Sequence, residues 1–168
     1  MKVKFRIPLR HPFHAEWRTV PARLADGPCA VLTGTFAELM EAAQANARAE
    51  QAVYVLHYPD RPFLTDAERD TLWQTFQVPV FLLLLDRNGR LAAWECEAQE
   101  GMHVGGAWTG HSLWVYRLLA SGWFLDSAPC ACGRPGERLL RIPADTIPRL
   151  PVPAREEHCA PAAVLQTA

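Results

Sequence analysis

The chain reads as an α/β protein: a parallel or mixed sheet with flanking helices, followed by a small β lobe. Three observations predict this. Short apolar runs alternate with stretches of helical periodicity through the first half, giving the order β-α-β-α-β that favours parallel pairing. The run over residues 78–85 is apolar on both faces, as in the buried centre of a parallel sheet. After Glu97, the glycines Gly101, Gly105, Gly106 and Gly110 cut the chain into short pieces, which suit turns and brief strands.

Residues 1–28 are basic and irregular, with a short strand over 3–7. Cys29-Ala30-Val31-Leu32 follows as a short buried strand. Thr35 and Glu38 have the spacing of a capping box. Phe36, Leu39, Met40, Ala43 and Ala47 then recur at helical spacing, which predicts a helix over 36–50 supported by its alanine content. Residues 52–56 form a second strand. Pro59 and Pro62 make the next stretch a loop, because each fixes the backbone and removes a donor. Thr65 and Glu68 repeat the capping box, and a helix runs on to Phe76 with Leu72, Trp73 and Phe76 facing inward. The third strand, 78–85, ends at Asp86-Arg87-Asn88-Gly89, where Asn-Gly signals a hairpin, and 90–97 pairs back antiparallel. Residues 112–119 and 122–125 supply strands of the β lobe. From Pro143 onward, five prolines and little periodicity mark a partly ordered extension. The organisation is one domain over 1–142, with an α/β part (28–98) and the β lobe (99–142), then a Pro-rich tail (143–168).

At 168 residues, with 49% apolar and 21% charged residues, the chain is long enough for a substantial core. A net charge of -1 predicts no bulk attraction to nucleic acid or membrane. The leading segment departs from this, with Lys2, Lys4, Arg6, Arg10, Arg18 and Arg23 against Glu16. Such a basic arm either contacts an anionic partner or is a solvated leader. The N-terminus has no continuous apolar segment of the signal-peptide kind, and residues 78–85 are too few to span a bilayer. Five cysteines, an odd number outside a small secreted scaffold, point to a reduced, cytoplasmic setting.

The thiols carry the strongest chemistry. Six residues separate Cys96 from His103; 26 further residues lead to Cys130-Ala131-Cys132. Three thiols and one imidazole match the ligand set of a closed structural zinc site. Neither half has the common Cys-x2-Cys spacing, so two other readings stand beside zinc. Cys96 is a small core residue with the later thiols free, or Cys130-Ala131-Cys132 is a redox pair. Cys29 reads as a core residue of its strand, and His158 and Cys159 as incidental. Asp60 and Asp66 are either ligand groups at element ends or helix caps. His11, His14 and Glu16 form a mixed run of no specific geometry. Trp94, Trp108, Trp114 and Trp123 read as core aromatics, with a partner surface as the minority reading. Ser112 beside His111 has no acid at triad spacing.

Several blocks resemble a known family. Leu64-Thr65-Asp66-Ala67-Glu68-Arg69 is followed by Phe76-Gln77-Val78-Pro79-Val80. Next come Glu95-Cys96-Glu97-Ala98-Gln99-Glu100-Gly101-Met102-His103 and Cys130-Ala131-Cys132-Gly133-Arg134. In this order, over about residues 28–142, they resemble the phenylacetate–CoA ligase branch of the adenylate-forming enzymes. The resemblance implies a structural zinc held by Cys96, His103, Cys130 and Cys132. It also exposes departures. The Ser/Thr/Gly-rich phosphate loop is not found. Phe81-Leu82-Leu83-Leu84-Leu85-Asp86-Arg87-Asn88-Gly89 stands where Tyr-Gly-x-(Ser/Thr)-Glu is expected. Tyr116-Arg117 lacks the following Gly-Asp that binds ribose, and the lid lysine is not found. These losses argue against ATP binding and leave no residue assigned a catalytic role. The expectation is a zinc-binding, non-catalytic remnant that acts through a protein partner or as a homo-oligomer. The alternatives are one subunit of a split acyl- or aryl-CoA ligase, or a zinc-containing nucleic-acid module, which the overall acidity disfavours.

Overall fold

The computed structural model describes residues 18–58, 61–105 and 122–141. The expected strands over 3–7 and 112–119 lie outside these residues. So do His11, His14, Glu16, Asp60, Trp108, His111, Ser112, Trp114 and the tail with His158 and Cys159.

Eight described strands form one mixed sheet. They are β1 (Thr19–Pro21), β2 (Pro28–Gly34), β3 (Arg48–His57), β4 (Val80–Leu85), β5 (Leu91–Glu95), β6 (Met102–Val104), β7 (Trp123–Asp126) and β8 (Arg138–Arg141). Their spatial order is β1-β2-β3-β4-β5-β6-β8-β7. Pairings from β1 to β4 are parallel, and those from β4 to β7 are antiparallel. The α/β class is therefore as expected. The β lobe supplies β6, β7 and β8, which extend the sheet as an antiparallel wing. A short 3-10 turn (Ala22–Leu24) follows β1, and two helices, α1 (Phe36–Gln44) and α2 (Asp66–Phe76), make the crossovers.

Both helices begin at the expected capping boxes. Thr35 accepts the Glu38 N–H while the Glu38 carboxylate accepts the Thr35 N–H, and Thr65 and Glu68 do the same. Each box satisfies donors that the first turn leaves free. Helix α1 ends well before residue 50. Asn46 has φ 65°, a left-handed conformation that Asn tolerates. Its N–H donates to the Ala43 carbonyl at 3.0 Å, and the Ala47 N–H to Ala42 at 2.9 Å. Residues 48–50 consequently belong to β3. Trp73 corrects the expected inward set on α2: it is 54% exposed, while Leu72 and Phe76 are buried. Leu72 and Phe76 are four residues apart and share a face; Trp73 is turned about 100° from Leu72.

All six residues of β4 are buried. Val80, Leu82 and Leu84 pack with Leu39, Ala42, Leu72 and Phe76 in one core cluster, which sets both helices on that face. Phe81, Leu83 and Leu85 join Val31, Ala52, Tyr54 and Leu56 in a second cluster. Burial on both faces explains why this strand is a continuous apolar run. The Asn-Gly turn forms as expected: Asp86 Oδ1 accepts the N–H groups of Asn88 and Arg90, each at 2.8 Å, and reverses the chain into β5. None of the described helices is long and apolar enough to cross a membrane.

Candidate metal centre

Local turn chemistry places each expected ligand. Cys96 directly follows β5, and its carbonyl accepts the Gln99 N–H at 3.0 Å, closing a tight turn. His103 is the middle residue of β6, opposite Trp94 on β5 and Arg138 on β8. Cys130 and Cys132 lie between β7 and β8, where the Cys130 carbonyl accepts the Gly133 N–H at 2.8 Å. Pairing of β6 with β8 brings the two turns together.

The four donor atoms of Cys96, His103, Cys130 and Cys132 all lie within 4.8 Å of one another. The Cys96 and Cys130 sulfurs are 3.6 Å apart, and the Cys132 sulfur is 3.3 Å from His103 Nε2. Tetrahedral bonds of about 2.3 Å to sulfur and about 2.0 Å to nitrogen would separate two sulfurs by about 3.8 Å and sulfur from nitrogen by about 3.5 Å. The side chains thus form a Cys3His cluster with the dimensions of a four-coordinate metal site. Cys96, His103 and Cys130 are buried, and Cys132 is half-buried. Cys29 lies elsewhere, half-buried, with its thiol directed to the Arg48 carbonyl at 3.4 Å.

Neither a protein-family model nor a curated protein matches the chain. What the site does must therefore be read from its own chemistry.

Two arginines brace the cluster, and sequence spacing gave no sign of them. Arg134 makes a bidentate pair with Glu97, at 2.5 and 3.0 Å. Arg138 donates to Asp126 at 2.7 Å and to the Glu100 carbonyl at 3.2 Å. Arg134 therefore ties the 127–137 loop to the turn that begins at Cys96, and Arg138, at the start of β8, ties that turn to the end of β7. The Arg134 pair is largely exposed, so it contributes about 0–1 kcal/mol. Arg138 is buried. Burial works against its charge, but Asp126 and the Cys130 sulfur outweigh that and raise its pKa. Its Nε–H is buried without an acceptor. Three thiolates around a divalent ion leave one net negative charge, which these guanidinium groups complement.

The same network orders the protonation states. Burial, above all, pushes the Cys96 thiol up to about 12, with the Cys130 and Cys132 thiols adding to the rise. Burial, followed by Arg134 and Arg138, holds His103 below its ordinary 6.5, so its imidazole is neutral at neutral pH, the form that binds a metal. Burial also raises Cys132, but hydrogen bonds from the Arg134 backbone, the neighbouring thiols and the Arg134 side chain outweigh it, so its pKa is net lowered. Metal binding must therefore expel the Cys96 proton. Affinity should rise at least about tenfold per pH unit through neutrality, because each proton displaced adds one such factor. It should fall more steeply once the pH drops through the depressed His103 value. Competition with a chelator at several pH values checks this; an affinity independent of pH near neutrality would exclude Cys96 as a ligand.

Gly101 sets the geometry between Cys96 and His103. It has φ +92°, and a Cβ there would sit 2.5 Å from the Leu139 carbonyl oxygen and against the Leu140 side chain. Gly101→Ala combines a left-handed backbone with a clash against the β8 backbone. It should destabilise the protein by about 2 kcal/mol or more and reduce metal content, as read by denaturant unfolding and metal analysis.

A groove of about 690 Å³ opens between α2 and the wing, lined in part by Phe63, Asp66, Arg69, Glu95, Trp123 and Arg141. Asp66 lies on it as the first residue of α2 and not as a metal ligand. Trp123 is buried and packs tilted against Phe63, at 4.8 Å between ring centres; Phe63 in turn stacks with His57 at 4.0 Å. Trp94 lies near-parallel to the His103 ring at 6.5 Å.

Proposed function

We propose that the chain is a zinc-stapled, non-catalytic module derived from the phenylacetate–CoA ligase branch of adenylate-forming enzymes, and that it acts through a protein partner. The observation that carries the metal part is the convergence of three thiols and an imidazole at tetrahedral distances. Zinc is the ion of choice because it is not redox-active, accepts a mixed sulfur and nitrogen set, and favours a closed four-ligand site in structural roles. The four protein donors leave no open position of the kind a catalytic zinc uses. The ligase ancestry rests on the order of sequence blocks around these ligands, and the non-catalytic reading on Phe81-Leu82-Leu83-Leu84-Leu85-Asp86-Arg87-Asn88-Gly89 standing where the Tyr-Gly-x-(Ser/Thr)-Glu motif is expected. Free thiols of this kind persist in a reducing compartment.

Purified protein should carry about one zinc per chain, the loading of one four-ligand site, and should not catalyse ATP–pyrophosphate exchange with any aryl or acyl acid. Exchange by the isolated chain would sink the non-catalytic reading. Exchange that appears only after a polypeptide bearing the phosphate loop and lid is added would assign the chain to a split ligase.

A further inference from the structure

We infer that Cys132 is the oxidant-accessible sulfur of the cluster, and that a hydroperoxide converts Cys132 and Cys96 into a disulfide that replaces the metal as the link between the two turns. The starting state rests on the metal reading above. Accessibility singles out the first sulfur. Cys96, His103 and Cys130 are buried, whereas Cys132 is half-buried, so a small solute reaches the cluster through Cys132. Proximity supplies the second. All four donor atoms lie within 4.8 Å, so a sulfur–sulfur bond of about 2.0 Å requires an approach of less than about 3 Å. Both residues occupy turns outside the strands, so the approach breaks no ladder hydrogen bond. Chain connectivity chooses the partner. Only Ala131 separates Cys130 from Cys132, and a bond between them would close a small, strained ring. Cys96 arrives from the other turn without that constraint.

The chemistry balances with one two-electron oxidant. The Cys132 thiolate attacks the terminal oxygen of the hydroperoxide and the O–O bond breaks. The alkoxide leaves and takes up a proton as the alcohol, leaving Cys132 as a sulfenic acid. The Cys96 thiolate, released from the metal, then attacks the Cys132 sulfur, the S–O bond breaks, and hydroxide leaves and takes up a proton from solvent as water. Two thiolates are oxidised to one disulfide, one peroxide is reduced, and two protons are taken up from solvent. The cluster thereby loses two of its four donors and can no longer close a tetrahedral site.

The test uses the full chain with Cys29→Ser and Cys159→Ser, so that the three cluster thiols are the only ones present. Metal content is measured first, and the protein then receives equimolar hydrogen peroxide. Metal release is followed with a chromophoric chelator, and cross-links by intact mass and peptide mapping. The expected result is stoichiometric release, a loss of about 2 Da per chain as two thiols become one disulfide, a Cys96–Cys132 link, and recovery on adding a dithiol and zinc. Retained metal overturns the inference. So does a link between Cys96 and Cys130, between Cys130 and Cys132 or between chains, and so does Cys132 oxidised no further than an unlinked acid. If the purified chain carries no metal, the zinc reading fails on that measurement alone. Mapping of the oxidised metal-free chain then still decides the inference, with a Cys96–Cys132 link supporting it and any other product overturning it.

Discussion

Replacing Cys130 by Ser should remove the metal and most of the protein's stability together. A structural zinc contributes an apparent binding free energy of about 10–16 kcal/mol at neutral pH. A domain's whole net stability is about 5–15 kcal/mol. Losing one of four ligands leaves a weak three-donor site, so most of the metal term goes. Cys130 is buried beside Cys96, so the serine hydroxyl also replaces a good ligand with a poor one in a dry position. Cys132→Ser should lose metal as well. Its half-buried position lets water take part of the vacated space, so the loss of stability should be smaller. Metal analysis with thermal unfolding, with and without a chelator, checks this. Chelator should lower the wild-type midpoint towards that of Cys130→Ser and leave the variant unmoved. Unchanged metal content and midpoint in Cys130→Ser would take that residue out of the site.

Arg69→Met should destabilise the protein by about 3–5 kcal/mol, the usual consequence of leaving a buried carboxylate without its cation. Glu95, on β5, is 8% exposed. Its two oxygens accept from both terminal nitrogens of Arg69, at 3.0 and 2.8 Å, and one also accepts the Leu82 N–H at 2.7 Å. Arg69 further donates to the Val80 carbonyl at 2.9 Å, which the Gln99 amide also reaches at 3.1 Å. One guanidinium thus joins α2, β4 and β5, and the Val80 carbonyl it shares with Gln99 adds the turn that follows Cys96. Combining Arg69→Met with Glu95→Gln should recover part of the loss, because a neutral amide needs no counter-charge and can still accept the Leu82 N–H. Denaturant unfolding of the two single variants and the double variant decides it. An Arg69→Met effect below about 0.5 kcal/mol, the range of ordinary surface changes, would show that the pair contributes nothing net.

Signals confined to a few neighbouring residues could be read from the sequence. Thr35 with Glu38, Thr65 with Glu68 and Asp86 with Asn88-Gly89 act within one turn of chain, and each forms as its spacing implies. The end of α1 was hidden because Ala43, Ala47 and Ala49 continue a helix-favouring composition past the stop at Asn46. Strands β1, β6 and β8 have three or four residues each, too few to show alternation. The four residues of the Cys3His cluster were legible by residue type, but their convergence depends on β6 meeting β8. The bracing pairs Arg134–Glu97 and Arg69–Glu95 cross 37 and 26 positions, so no local spacing announces them.

The order of the strands also bears on how long the folded molecule lasts. Among the described strands, every neighbouring pair is consecutive along the chain except β6 and β8, and that pair meets at only two register positions. Contacts close in sequence form early, while a junction closing a long loop tends to form late. Cys96, His103, Cys130 and Cys132 straddle this junction. A bond absent from the folding transition state leaves the folding rate almost unchanged and acts on the rate of opening. A metal bound in this wing would thus be a brake on unfolding: it would lengthen the lifetime of the native state far more than it would hasten its arrival.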